Sequence, residues 1–238
     1  MWVKLIQMLI ALNEQVIFYP KLRRFYKSHF SKKRPVIFDV GSNEGQSIDF
    51  FSGIYTDAVI YAFEPNVSLY NHLKNKYSKN PDIHIYNLGL SNVDDFLEFS
   101  ECVMHETSTF ENLNFDSGYL KRKAKILGFN PHEIIKSKYS VRVTKLSEFI
   151  HKQQINRIDV LKIDTEGHEL KCLQGLFDNL SPDFSLGYIQ FESHNDDMYL
   201  GNEDKGAIFD LLAKFGYVNK VQIKHGFGNI DEYICYKD

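Results

Sequence analysis

The chain is poor in the features that assign a protein to a class at sight. Its three cysteines, Cys102, Cys172 and Cys235, are widely spaced, with no C-x-x-C pair and no Cys/His metal pattern. An odd, scattered set excludes a disulfide framework and reads as reduced, buried thiols of a cytoplasmic protein. A net charge of -3 gives no basic field, so nucleic acid is not an expected partner. Repeats and low-complexity segments are missing, and no apolar run approaches the ~18 to 20 residues of a membrane span. The G-x-G-x-x-G fingerprint of dinucleotide sites is broken at Gly41-Ser42-Asn43.

Residues 36 to 45, VIFDVGSNEG, carry the most information. An apolar run ends in Asp39, Gly41 and Gly45 bracket a polar turn, and a second apolar run ends in Glu64, nineteen residues after Gly45. A strand stopping in a glycine turn lets a ligand approach the backbone, and an acid at the tip of the next strand can accept hydrogen bonds from ribose hydroxyls. The ligand implied is a nucleoside-containing cofactor. Asp39, just before the first glycine, would repel a pyrophosphate but could pair with an ammonium. S-adenosylmethionine, zwitterionic and free of phosphate, therefore suits Asp39, Gly41, Asn43, Gly45 and Glu64 better than NAD does.

With 238 residues, 43% of them apolar, the chain suits one α/β domain with appendages. Residues 1–34 read as an appendage. Trp2 to Leu12 make an amphipathic helix, then Lys21, Arg23, Arg24, Lys27, Lys32, Lys33 and Arg34 accumulate as a basic linker. Such a pair can hold a protein peripherally on an anionic membrane, here the inner face. Residues 35–238 alternate apolar runs with helical patterns, as a parallel sheet does, with strands expected at 36–41, 58–64, 83–88, 159–164 and 186–193. Asn66 to Tyr77, Glu166 to Phe177 and 206–215 read as helices, and YVNKVQI and EYICYK as a closing antiparallel edge hairpin. Residues 102–140 lack strand signals and read as a substrate-facing insertion.

Ligands of open parallel sheets lie beyond the carboxyl ends of the strands, which collects Asp39, Glu64, Asp164, Glu192 and His194 at one edge. Glu192 and His194 are two apart, so both point to one face. Two roles are open to the trio Asp164, Glu192 and His194. His194, with an ordinary pKa of about 6.5, can take a hydroxyl proton while a carboxylate orients it; or the three can ligate a divalent metal that acidifies the hydroxyl.

DVGSNEGQS, YAFEPNVSLYNHL, YNLGLSN, VTKLSEFI, DVLKIDTEGHELKCLQG and FESH, in that order over about residues 35–195, resemble the FkbM family of S-adenosylmethionine-dependent methyltransferases. The resemblance implies a three-layer, Rossmann-like class I methyltransferase fold, with a seven-stranded, mostly parallel sheet whose last strand is antiparallel. It also implies O-methylation of a sugar, glycan or natural-product hydroxyl. By the same resemblance, Asp39, Gly41, Asn43 and Gly45 match the first cofactor motif and Glu64 the ribose-binding acid. Gly89 and Leu90 stand at the adenine, and Asp164 lies nearest the transferred methyl. The chain departs from the family pattern at Val67 and at Ser147, where an acid is lost. A non-catalytic scaffold in a glycan-assembly complex and an NAD-dependent oxidoreductase are the rival readings, and the number of subunits is not written in the sequence.

Overall fold

A computed structural model describes residues 13–200, 205–225 and 230–238; the expected helix at Trp2 to Leu12 lies outside them. A π-helical turn, Glu14–Phe18, runs into α1 (Tyr19–His29). Then follow β1 (Val36–Val40), α2 (Gln46–Ile54), β2 (Val59–Phe63), α3 (Val67–Lys76), β3 (Ile83–Tyr86), β4 (Gly89–Leu90) and β5 (Asp95–Cys102). The insertion holds β6 (Asn112–Leu113) and α4 (Gly118–Leu127) and returns through β7 (Ile135–Thr144). The chain continues with α5 (Leu146–Lys152), β8 (Arg157–Ile163), α6 (Glu169–Phe177), β9 (Ser185–His194), β10 (Tyr199–Leu200), α7 (Lys205–Lys214), β11 (Asn219–Lys224) and β12 (Ile230–Tyr236).

Seven strands form the main sheet in the order β11-β12-β9-β8-β1-β2-β3. From β9 to β3 all are parallel, whereas β12 runs antiparallel to both neighbours. This is the class I methyltransferase arrangement that the resemblance implies. The closing pair is not wholly an edge hairpin, because β12 slots between β9 and β11. Its Tyr233, Ile234 and Cys235 are buried, as suits an inner strand, while β11 alternates exposed and covered residues as an edge strand does.

Apolar side chains alternate across the central strands and so feed two cores. Phe38, Leu161, Ile163 and Phe191 pack on α5, α6 and α7. Ile37, Ile60, Val160 and Ile234 pack on α1 and α2. Residues 19–29, expected as linker, are helical because Leu22, Phe25 and Tyr26 form an apolar stripe that the sheet covers. Lys21, Arg23, Arg24 and Lys27 point outward from α1. Among the described residues no helix is long and apolar enough to cross a membrane.

The insertion has more strand than expected. β7 begins at Ile135 and pairs antiparallel with β5, and parallel with β4, in a second, three-stranded sheet. Cys102, Leu113, Leu120, Ile134, Met198 and Tyr199 make a core of its own. Ser117 caps α4 by accepting from the Tyr119 and Leu120 N–H groups, and Gly128 ends it in a left-handed conformation. Glu111 clamps the insertion to α6 through His168 Nδ1 and Lys171 Nζ, each at 2.6 Å. His168 also meets Ser91 Oγ at 3.0 Å, so this motif histidine is a buried tie rather than a site residue.

Candidate active site

The carboxyl ends of β1, β2, β8 and β9 open into a cavity of about 590 Å³. Gly41, Asn43, Glu64, Gly89, Leu90, Asp164, Glu192 and His194 line it; placement at one sheet edge anticipates Glu64, Asp164, Glu192 and His194, and the turn motif and the resemblance the others. Gly45 and Asp39 do not. Gly45 starts α2 with φ +88°, its carbonyl accepting from Tyr77 Oη at 2.9 Å. Asp39 is fully buried below the turn, next to Gly41, and is not among the residues that line the cavity.

The turn is dictated by crowding. Gly41 has φ +80°, and a Cβ there would lie 1.8 Å from the Asp164 carbonyl oxygen. The Gly41 and Ser42 N–H groups both donate to the Phe63 carbonyl, at 3.0 and 3.1 Å, so the turn is stitched to the end of β2. Gly41→Ala is expected to lower unfolding free energy by roughly 2 to 5 kcal/mol, the sum of left-handed strain and overpacking. Urea denaturation checks this, and an unchanged midpoint would mean that Asp164 can move aside.

Glu64 stands at the tip of β2 with each oxygen holding a backbone amide: Asn43 N–H donates to Oε2 and Asn66 N–H to Oε1, both at 2.8 Å. Burial lifts its pKa to about 7, against the pull of those two N–H groups, with the charges of Asp39 and Asp164 adding to the rise. Beside it Leu69, Leu88, Leu90, Phe99 and Phe110 make an apolar wall. Gly89 is needed within it, since a Cβ would approach the Phe110 ring to 2.6 Å.

Lys162 is the residue the motif reading overlooks. It sits near the end of β8 with its ammonium 2.9 Å from Asp164 Oδ2 and 3.9 Å from Asp39 Oδ1. Burial opposes its charge, but the two carboxylates outweigh burial and hold the ammonium above the ordinary lysine range. Burial likewise pushes Asp39 up to about 6, with Lys162 the main restraint. A lysine inside the apolar run of DVLKI, two residues before an acid on the same strand face, is the signal that could have found this pair.

Asp164 pairs with Lys162, and the set that brings one ligand atom from each member together is Glu166, Glu192 and His194 rather than the expected Asp164, Glu192 and His194. His194 Nε2 lies 3.2 Å from Glu166 Oε2 and 3.1 Å from Glu192 Oε1. Glu166 has φ +56°, an uncommon conformation for a side-chain-bearing residue, and Tyr199 Oη donates to its carboxylate. Burial raises the Glu192 pKa. Burial opposes charge on His194, yet Glu166, Asp196 and Glu192 raise its pKa well above the ordinary range. Next to Glu192 across the strand pair is Glu232, which accepts from Gln190 Nε2 at 2.6 Å and faces His225 at 3.5 Å.

One end of the cavity is thus a glycine turn, an acid tip and an apolar wall; the other is a carboxylate–imidazole group. The π-helical turn and α1 contribute Glu14, Phe18 and Tyr19 to the rim, and the insertion contributes Met104, Phe110, Tyr119 and Lys123. These rim residues come from segments with no motif, so the strand-end rule could not find them.

Comparison with known proteins agrees with this geometry. The 2-O-methyltransferase NoeI of Sinorhizobium fredii is 22% identical over 198 residues, covering 83% of this chain and 79% of that protein. The hexuronic acid methyltransferase AglP of Haloferax volcanii is 25% identical over 161 residues, covering 67% of this chain and 56% of that protein. The AMB antimetabolite synthetase AmbE of Pseudomonas aeruginosa is 23% identical over 220 residues, 84% of this chain but only 10% of the synthetase. The solved METTL16 methyltransferase domain shares the fold, with a TM-score of 0.50 at 10% identity, covering 92% of this chain and 66% of that one. The family model of the methyltransferase FkbM domain matches residues 39–218, most of the chain, which therefore belongs to that methyltransferase family.

Proposed function

We propose that the chain transfers a methyl group from S-adenosylmethionine to a hydroxyl oxygen of a sugar or similar polyhydroxylated acceptor. The observation that carries this is Glu64, an acid at the cavity wall beside the Gly41 turn and the apolar Leu88, Leu90 and Phe110. A carboxylate there accepts ribose hydroxyls, the glycine admits the donor close to the backbone, and the apolar wall takes a flat base. Glu64 and Asp164 at this end disfavour a pyrophosphate and favour a cationic sulfonium. The names of the chain's relatives, a 2-O-methyltransferase and a hexuronic acid methyltransferase, support a sugar-like hydroxyl as acceptor.

In the reaction an acceptor oxygen attacks the methyl carbon in line with the sulfur. The C–O bond forms as the C–S bond breaks, its electron pair staying on sulfur to give S-adenosylhomocysteine, and the hydroxyl proton passes to a carboxylate lining the acceptor end of the cavity. The sulfonium is already a good leaving group, so alignment does most of the work. Positioning can lower such a barrier by ~7 to 11 kcal/mol, while proton transfer gives ~10²- to 10⁴-fold.

Thermal unfolding with S-adenosylhomocysteine and, separately, NAD tests the donor. The homocysteine compound at 100 times its Kd is expected to stabilise by about 2.7 kcal/mol, and NAD not at all. Stabilisation by neither supports a scaffold, and by NAD alone an oxidoreductase.

The affinity should also depend on pH. With Glu64 at about 7, its ionised, fully accepting form dominates at pH 8 and falls to about a tenth at pH 6, weakening S-adenosylhomocysteine binding about tenfold if only that form binds. Calorimetry across this range should show affinity rising with pH in the native protein and flat in Glu64→Gln. Asp39, at about 6, is kept in that variant, so a slope that persists would belong to Asp39 and not to Glu64.

A further inference from the structure

We propose that Glu166, Glu192 and His194 form a binding site for one divalent cation at the acceptor end of the cavity. One ligand atom from each lies within 4.8 Å of the other two. The separations from His194 Nε2, 3.1 Å to Glu192 and 3.2 Å to Glu166, match adjacent ligands of a metal with bonds of about 2.1 Å at right angles, which stand about 3 Å apart.

A second observation points the same way. The His194 side chain is 4% exposed, and neither ring nitrogen makes a well-aligned hydrogen bond among the described residues, although three carboxylates stand at 3.1 to 3.7 Å. Buried polar atoms are seldom left so. Nε2 faces the two carboxylates, and on the far side Nδ1 is 3.7 Å from the buried Asp196 Oδ2. A ligating imidazole commonly backs onto a carboxylate in this way. Tyr199 Oη, donating to Glu166, steadies the third ligand on its left-handed backbone.

Charge completes the case. Asp164, Glu166, Glu192 and Glu232 line this end, Asp196 stands behind His194, and Lys162 is committed to Asp164 and Asp39. The neighbouring set Glu192, His225 and Glu232 also brings three ligand atoms together. Its Glu232, however, already accepts from Gln190, so that set has less need of a cation. One imidazole with two carboxylates suits Mn²⁺ or Zn²⁺ better than Mg²⁺, which prefers oxygen and water. If the methyl-transfer reading holds, on which only this role rests, the cation polarises the acceptor hydroxyl opposite the Gly41 turn.

The test is Mn²⁺ binding to the chelator-stripped full chain, followed by electron paramagnetic resonance of free Mn²⁺, with S-adenosylhomocysteine affinity measured separately without metal. One site is expected. Glu166→Gln, nearly isosteric, and His194→Ala should each weaken it by at least tenfold, Asp196→Asn by about 10- to 100-fold, and Glu232→Gln by less than twofold. Circular dichroism identifies any variant that fails to fold, and the two ligand variants then stand in for one another. No Mn²⁺ binding, or binding that survives Glu166→Gln and is lost in Glu232→Gln, overturns the proposal. Mn²⁺ binding without donor binding would sink the methyl-transfer reading and leave the site standing, and the converse result does the reverse.

Discussion

Lys162→Met is expected to destabilise the protein by about 3 to 5 kcal/mol, the usual cost of removing one partner from a buried ion pair. Lys162 is 7% exposed, and its ammonium is the cation that Asp39 and Asp164 share at the end of the parallel strands. Methionine fills nearly the same space, so the loss isolates charge from packing. Asp39, fully buried, then faces an interior without a counter-charge, whereas Asp164 keeps access to the cavity. The sign of the pH dependence follows. Burial already holds Asp39 at about 6 in the folded state, above its unfolded value, so stability from its neutral form is present at low pH and lost as pH rises through about 6. The variant lacks the lysine and should lose more on that rise. Urea denaturation at pH 5 and pH 8 should therefore show the gap to the native protein widening at the higher pH, and Asp39→Asn in the same background should restore part of it. Equal midpoints for Lys162→Met and the native protein at pH 8 would show that solvent reaches the pair.

Glu64→Ala should weaken S-adenosylhomocysteine binding by at least about 100-fold. Two ribose hydroxyls donating to a carboxylate contribute about 1.5 to 3 kcal/mol each, and every 1.4 kcal/mol is tenfold. The loss has a second source in the protein itself. The Asn43 and Asn66 N–H groups, which Glu64 holds at 2.8 Å, would be left without acceptors, at about 1 to 3 kcal/mol each when buried. The Gly41–Gly45 turn would then loosen even before ligand arrives. Glu64→Gln keeps a side-chain oxygen for one of these amides and should fall between the two. Calorimetry that finds unchanged affinity in Glu64→Ala would refute the ribose assignment.

Much of the fold is legible in the chain because parallel strands buried on both faces read as unbroken apolar runs, VIFDV and VIYAF among them. β7 is not legible in the same way. IKSKYSVRVT alternates exposed and covered positions with Lys136, Ser137 and Lys138 at its start, the composition of a surface segment. At the site, Glu64, Asp164, Glu192 and His194 are legible from the strand-end rule, whereas Glu166, farther along the loop after β8, is not. Glu192 and His194 share a strand face by the two-residue period, so their meeting could be foreseen. Glu166 reaches His194 only because its own φ is positive and Tyr199 draws its carboxylate across, and neither is written in the spacing. Lys162, two positions earlier on the same face, donates to Asp164, a pairing that the strand-end rule does not foresee.

The insertion carries its own small core and meets α6 chiefly through Glu111, yet Met104, Phe110, Tyr119 and Lys123 from it shape the cavity rim. On the methyl-transfer reading the insertion therefore serves both ends of the cavity, Phe110 standing in the wall proposed for the donor's base and Tyr119 near the Glu166, Glu192 and His194 group. Exchange of residues 112–134 between relatives, which leaves Phe110 and the Glu111 clamp in place, should accordingly be tolerated far better than exchange of the turn at Gly41.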